Sequence, residues 1–459
     1  MKYRCTDVSE PNLYKDVFPY EALPVACFDH APVQMDIPDT LWVTDTTLRD
    51  GQQSMRAFTA RQSLELYHYL HRIDNGCGVI RQAEFFVYNE NDREALIEAQ
   101  KLGYDYPEIT TWIRADERDF ALIRDLGVKE TGMLMSCSDY HIFHKLKLTR
   151  TQTMEKYLSV AEAALKAGIK PRCHLEDITR ADFEGFVIPL VKNLKDLCDS
   201  YGMPLKIRAC DTLGVGVPFP TAPLPRSVPA IISCLRKECG LAPESIEWHG
   251  HNDFHLAVAN SMAAWLYGAA SVNTTLLGIG ERCGNTPLEG MLFQYAQIKG
   301  AGNLKLEVFN EVAEYFAHAL EFQVHEKYPI LGADFNTTKA GIHADGLLKD
   351  PEIYNAFNTQ KILNRPIVIM INQASGLSGI AGWINNYYHL EEDKTVQKHD
   401  PRVLKIKDWV DREYTGGRTS NITNEELNLL VEKYLPEIAL RKQGKKMAFT
   451  ELTVKEKNA

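Results

Sequence analysis

His249-Gly250-His251-Asn252-Asp253 carries two imidazoles two residues apart at the end of a β-rich run. Residues i and i+2 of a strand share a face, so both rings point the same way and can bind one metal ion. Buried histidines often only satisfy local hydrogen bonds, so the pair alone does not make a metal site. Oxygen donors stand elsewhere, in Asp45-Thr46-Thr47-Leu48-Arg49-Asp50-Gly51 and in Gly280-Glu281-Arg282-Cys283-Gly284-Asn285. If the fold joins these segments, Asp50, His249, His251 and Asn285 converge on one ion. Two imidazoles with two oxygen ligands suit Mn2+, Mg2+, Co2+ or Zn2+, with open positions for a substrate. The competing reading makes Asp50 a helix cap and Asn285 a loop residue. Gly278-x-Gly280-x-x-x-Gly284 has neither the spacing nor the early position of a dinucleotide-binding turn.

Such a convergence requires a fold that brings distant segments together. From residue 41 the chain alternates short β-rich runs with longer segments of helical spacing, as expected of βα units and a parallel sheet. The runs begin at residues 41, 79, 108, 129, 170, 205, 245 and 270. Helical segments such as TARQSLELYHYLHRI and TQTMEKYLSVAEAALKAG separate them. Eight successive units over 41–300 fit a closed (β/α)8 TIM barrel better than an open sheet, and closure makes strands 1, 7 and 8 neighbours. The expected organisation is an irregular arm at 1–40, the barrel at 41–303, a linker subdomain at 304–390 and a small helical region at 391–459. A helix with Val308, Val312, Phe316 and Leu320 at i+4 spacing is expected to lead away from the barrel. Thr423 and Glu426 form a capping box before LNLLVEKYL.

Composition narrows the function classes. The 459 residues are 45% hydrophobic and 24% charged, the mixture of an ordinary globular protein. A formal net charge of −10 argues against neutralising a nucleic-acid backbone or an anionic membrane, although a local basic pocket fits within it. No run of about 18 apolar residues occurs, and the N-terminal segment lacks the apolar core of a signal peptide, so the expected compartment is the cytoplasm. Ten scattered cysteines without a CxxC pair read as reduced, mostly buried residues.

DTTLRDGQQ at 45–53, HGHND at 249–253 and GIGERCGNTPLEG at 278–290 resemble the signatures of the acyl-CoA:2-oxoacid synthases, the family that includes the 2-isopropylmalate, homocitrate and citramalate synthases. KAGIHADGLLKDPEIY at 339–354 is similar to the family's subdomain motif. The resemblance implies a metal-dependent Claisen condensation of acetyl-CoA with a 2-oxoacid, followed by thioester hydrolysis. It assigns Asp50, His249 and His251 as metal ligands, with Asn285 as a further ligand or close neighbour and Mn2+ as the expected ion. Arg49 matches the arginine that meets developing oxyanion charge. Gln53, Glu84 and Thr212 match positions lining the oxoacid pocket. Glu176 matches a catalytic carboxylate, and His343 the subdomain histidine that serves as base or proton relay. The family's subdomains act on a partner's barrel, so a homodimer is expected. His141-x-x-His144 reads as a solvated loop pair outside the site.

The homocitrate synthases show Arg-x-Ser-x-Glu-Asp on strand 5, where this chain has Arg172-Cys173-His174-Leu175-Glu176-Asp177. An arginine at that position implies a dicarboxylate acceptor, because a buried unpaired guanidinium is costly. His174 in place of serine, together with Trp112 in place of the strand-3 histidine, favours a shorter acid. The expected substrates are therefore oxaloacetate and acetyl-CoA, giving citrate and CoA, with Arg172 and His174 contacting the acid. One methylene is worth only ~1–3 kcal/mol of discrimination. The alternatives are 2-oxoglutarate or another 2-oxoacid as acceptor, a retro-aldol acyl-CoA lyase, or a non-catalytic metabolite-binding barrel. The chain departs from the family where the subdomain tyrosine aligns with Pro366 and where the histidine before KAGIH is Thr338. Tyr354 or a polar residue at 371–379 is the substitute to look for.

Overall fold

The computed structural model describes residues 35–388, 390 and 394–440, with residues 15, 20–22, 27–28 and 31–32. The chain divides into two compact units, one of residues 25–322 and one of residues 1–24 with 323–459.

The first unit is built on eight parallel strands closed into a barrel. They are β1 (Trp42–Asp45), β2 (Ile80–Phe85), β3 (Glu108–Arg114), β4 (Glu130–Ser136), β5 (Lys170–Glu176), β6 (Lys206–Asp211), β7 (Ile246–Gly250) and β8 (Ser271–Thr274). Closure runs through β8 and β1, with Ser271 opposite Trp42 and Thr274 opposite Asp45. Each expected run yields a strand, but the first and last are cut short. Thr47 donates its backbone N–H and hydroxyl to the Asp45 carboxylate, and its hydroxyl oxygen accepts from the N–H of Leu276. These bonds turn Thr46–Asp50 into a loop instead of extending β1. The connecting helices start on capping boxes, Thr59 with Gln62 ahead of Ala60–Asp74 and Thr149 with Gln152 ahead of Arg150–Lys166.

The barrel interior is partly ionic. Arg208 donates to Glu247 at 2.7 Å and to Glu84 at 3.1 Å, while Arg172 donates to Glu84 at 2.8 Å, to Gln82 at 2.9 Å and to Thr110 at 2.7 Å. All four charged residues are buried, so each depends on its partners to offset lost hydration.

The helix Phe309–His318 does not lead away from the barrel as expected. Val312 and Phe316 are buried, Tyr315 meets Tyr69 with ring centroids 5.5 Å apart, and Glu311 pairs with Arg72. Its apolar stripe closes on the helix Ala60–Asp74, so the first unit continues past residue 303.

In the second unit the helices Gly341–Lys349, Leu377–Tyr387, Pro401–Thr415 and Asn424–Tyr434 surround one core. Ile371, Ile380 and Ile384 share it with Val403, Ile406, Val410, Leu427 and Val431. The expected division at 390 therefore falls inside one hydrophobic cluster. The capping box at Thr423 and Glu426 is present. No helix among the described residues is long and apolar enough to cross a membrane. Cys137, Cys173, Cys198, Cys210, Cys234 and Cys239 are buried free thiols.

Candidate metal centre and active site

Asp50, His249 and His251 meet at the C-terminal ends of β1 and β7, with one donor atom from each lying within 4.8 Å of the others. The imidazole Nε2 atoms are 3.3 Å apart, and Asp50 Oδ2 lies 3.5 Å from that of His249 and 3.9 Å from that of His251. His249 Nδ1 donates to the Asn273 amide oxygen at 2.7 Å, which leaves its Nε2 lone pair facing Asp50. Burial, followed by the charge of Arg208, lowers the His249 pKa against the pull of Asp50. His251 falls to about 4, through burial and then His249. Burial opposes ionisation of Asp50, but Arg49, His249 and His251 outweigh it and the carboxyl falls to about 2. Two neutral imidazoles and a carboxylate aimed at one point form a donor set for a divalent cation.

Asn285 completes the cluster. Its Nδ2 donates to Asp50 Oδ2 at 3.1 Å, whereas its buried Oδ1 has no hydrogen-bond partner among the described residues. An orphaned amide oxygen beside these donors fits a cation as well. A sharp turn delivers it: Gly284 has φ +88°, and a Cβ there would stand 2.2 Å from the Gly278 carbonyl oxygen. Arg282 ties the neighbouring loops together, donating to Asp253 at 2.8 Å and to the Thr212 carbonyl at 2.6 Å.

Arg49 sits beside the cluster, with Nη1 3.3 Å from Asp50 Oδ1 and its guanidinium 4.0 Å from the centroid of the Trp112 ring. Glu84 is buried beneath, accepting from Thr46 at 2.9 Å as well as from both interior arginines. Its pKa is lowered because Arg208, Arg172 and Arg49 overcome the burial penalty. His174 packs over Gly132 so closely that a Cβ at that glycine would lie 2.4 Å from the ring's Cε1. Burial, then Arg208 and Arg172, holds the His174 pKa well below that of an ordinary imidazole, so the ring is neutral.

Four expected site residues are placed otherwise than the sequence suggested. The Arg172 guanidinium is engaged by Glu84, Gln82 and Thr110, and the residue lines an opening with Trp42, Lys206 and Ser271 at the N-terminal ends of the strands. An arginine bound on these sides is a structural ion pair rather than a free carboxylate clamp. Gln53 is exposed, while its neighbour Gln52 is the buried amide, bonded to the Leu48 carbonyl and to Asp92. The Thr212 hydroxyl oxygen accepts from the backbone N–H of Asp177 at 2.9 Å. Glu176 receives Ser136, His141 at 2.9 Å and Lys145 at 2.8 Å. These donors overcome burial and bring its carboxyl to about 2, which makes it a poor proton acceptor at neutral pH.

His141 thus belongs to the barrel rim rather than to a solvated loop. Its loop position on a π-helical turn, Tyr140–Leu146, gave the sequence no strand phase from which to place it. His343 is exposed on a helix of the second unit, its ring 4.4 Å from that of Tyr354.

The HMGL-like family model matches residues 40–315. The chain is 56% identical over 437 residues to the citrate (Re)-synthase of Clostridium kluyveri, covering 95% of this chain and 96% of that protein. It is 48% identical to the citrate (Re)-synthase of Syntrophus aciditrophicus, covering 95% of this chain and 70% of that one. A 2-phosphinomethylmalate synthase from Streptomyces hygroscopicus is 39% identical over 92% of this chain and 96% of its own. Among solved structures, the hydroxymethylglutaryl-CoA lyase from Pseudomonas aeruginosa shares the barrel fold at TM-score 0.50 and 18% identity, over 62% of this chain and 95% of that one.

Proposed function

The chain belongs to the HMGL-like family, and from that membership and its 56% identity to a citrate (Re)-synthase we infer that it condenses acetyl-CoA with oxaloacetate to give citrate and CoA. The structural observation that carries the reading is the convergence of Asp50, His249 and His251 beside Arg49, with the Asn285 amide bonded to Asp50. A divalent cation bound there, Mn2+ in our reading and otherwise Co2+, Mg2+ or Zn2+, would act as a Lewis acid toward the oxoacid's 2-oxo and C1 carboxylate oxygens.

The chain's own groups supply the rest. A methyl proton leaves acetyl-CoA, and the carbon forms a bond to C2 of oxaloacetate while the 2-oxo oxygen gains a proton. Water then cleaves the thioester, releasing CoA as its thiol. Arg49 presents an always-charged planar donor to the oxygen that gains negative charge. We assign the proton relay to His343, which Tyr354 backs in place of the tyrosine lost at Pro366. Glu176 is held ionised and orients His141 and Lys145, in a supporting part at the rim. His174 narrows the acid pocket, which favours the shorter dicarboxylate. We place the enzyme in the cytoplasm as a homodimer; a monomeric, fully active protein by light scattering would refute the dimer.

The deciding assay follows thiol release from acetyl-CoA by purified protein with Mn2+. Oxaloacetate should support it faster than 2-oxoglutarate, pyruvate or 2-oxoisovalerate, and equal or better turnover of 2-oxoglutarate would overturn the assignment. His249→Ala and Asp50→Asn should abolish release; full activity in either would sink the metal site.

A further inference from the structure

We propose that Trp112 is the positioning residue for Arg49, fixing the plane of its guanidinium through the face of the indole while itself occupying none of the N–H donors that could meet substrate oxygens. The proposal rests on the synthase reading above, in which those donors meet charge that develops during condensation.

Arg49 is held in an unusual way. Its side chain is only 12% exposed; its Nε, like that of Arg172, has no hydrogen-bond partner among the described residues, and its ion pair is with Asp50 through Nη1 at 3.3 Å. A guanidinium this deeply placed is ordinarily fixed by carboxylates or carbonyls forked onto its donors, as Arg172 and Arg208 are in the same barrel. Such bonds would occupy the N–H groups that a reacting oxygen requires. The Trp112 ring, with its centroid 4.0 Å from the Arg49 Cζ, attracts the cation through the ring quadrupole and takes up no N–H.

The platform is itself fixed. Trp112 is 7% exposed, Phe86 lies nearly parallel to it at 5.9 Å and 15°, and Tyr88 meets it edge-on at 6.3 Å and 69°. The indole therefore cannot rotate without displacing two further rings. Trp112 comes from β3 and Arg49 from the turn after β1, so the stack also braces that turn across the barrel mouth.

The test is a double-mutant cycle on the full chain with Mn2+, measured by thiol release and accompanied by thermal unfolding. Trp112→Phe keeps a π face, Trp112→Leu removes it, and Arg49→Ala removes the cation. Trp112→Leu should lower kcat on the order of tenfold, with KM for acetyl-CoA changed by less than about twofold. Trp112→Phe should restore most of the loss, and Trp112→Leu should add little to Arg49→Ala. Equal losses in the two Trp112 variants, or full additivity with Arg49→Ala, would overturn the proposal. A second readout is independent of turnover and of whether Trp112→Leu folds. The indole emission lost on Trp112→Phe should differ between the Arg49 and Arg49→Ala backgrounds, and an identical difference spectrum would exclude the stack. Absence of condensation in the wild type would defeat the synthase reading alone.

Discussion

His249 Nδ1 donates to the side-chain oxygen of Asn273 at 2.7 Å, and the Asn273 amide donates in turn to Thr44 Oγ1 at 2.8 Å. Asn273 and His249 face each other in register across β8 and β7, so the barrel ladder itself fixes the imidazole's orientation. Removing the acceptor frees the ring to rotate and weakens its Nε2 as a ligand. Asn273→Leu should lower Mn2+ affinity ~10–100-fold, measured by calorimetric titration of the metal-free protein. Affinity within about twofold of wild type would show that the bond does not orient the ligand.

His174 and Gly132 form a second coupled pair. Exchanging His174 for serine removes a ring's volume, so if His174 lines the acid pocket as proposed, His174→Ser should shift kcat/KM toward 2-oxoglutarate relative to oxaloacetate by on the order of tenfold. Gly132→Ala should impair the enzyme unless combined with His174→Ser, because a Cβ there would stand 2.4 Å from the ring. A ratio of the two acids unchanged in His174→Ser would remove this residue from the specificity argument.

The interior ion network makes a stability prediction. Glu247 accepts from Arg208 and from Thr44, and these contacts, with Arg172, bring its carboxyl to about 2 against the cost of burial. Glu247→Gln leaves Arg208 buried with half its countercharge, and should cost ~3–5 kcal/mol in denaturant unfolding. A loss below ~1 kcal/mol would mean that the network is hydrated and behaves like a surface pair.

His174 also predicts a pH dependence. It is neutral in the folded barrel, with a pKa well below the 6.5 of a free imidazole. The unfolded chain takes up a proton at this residue near pH 6.5, so between there and the lower folded value it binds more protons than the folded chain. The contribution is complete above that pH and is lost as the pH falls. Unfolding followed in chelator from pH 7.5 to 5 should show a shallower decline in His174→Asn than in wild type; parallel curves would contradict a neutral buried ring.

Much of the barrel could be read from the chain because each strand is a short β-rich run bounded by turn residues and followed by an amphipathic helix. Asp50, His249, His251 and Asn285 could be placed because strand alternation and barrel closure together specify their neighbourhood. The expectation for Arg172 rests on the aligned Arg-x-Ser-x-Glu-Asp pattern of the homocitrate synthases, which carries no information on its height along β5; that height puts it among Gln82, Glu84 and Thr110. The Arg49–Trp112 stack and the His141–Glu176 bond were not legible. Each joins a loop or turn to a distant strand end, and no local periodicity encodes where a loop side chain will point. The boundary after residue 303 was misplaced for a similar reason: an i+4 stripe shows that a helix has an apolar face but not which surface it will cover.

Arg172 and Arg208 on one side, and Glu84 and Glu247 on the other, cancel as two positive and two negative charges beneath the site. An incoming dianion therefore gains little net attraction from that ionic floor, and without a bound cation Arg49 faces the Asp50 carboxylate as well as the substrate. On the proposed function, Asp50, His249 and His251 would hold the divalent ion first, and the oxoacid is expected to associate appreciably only with the protein so loaded.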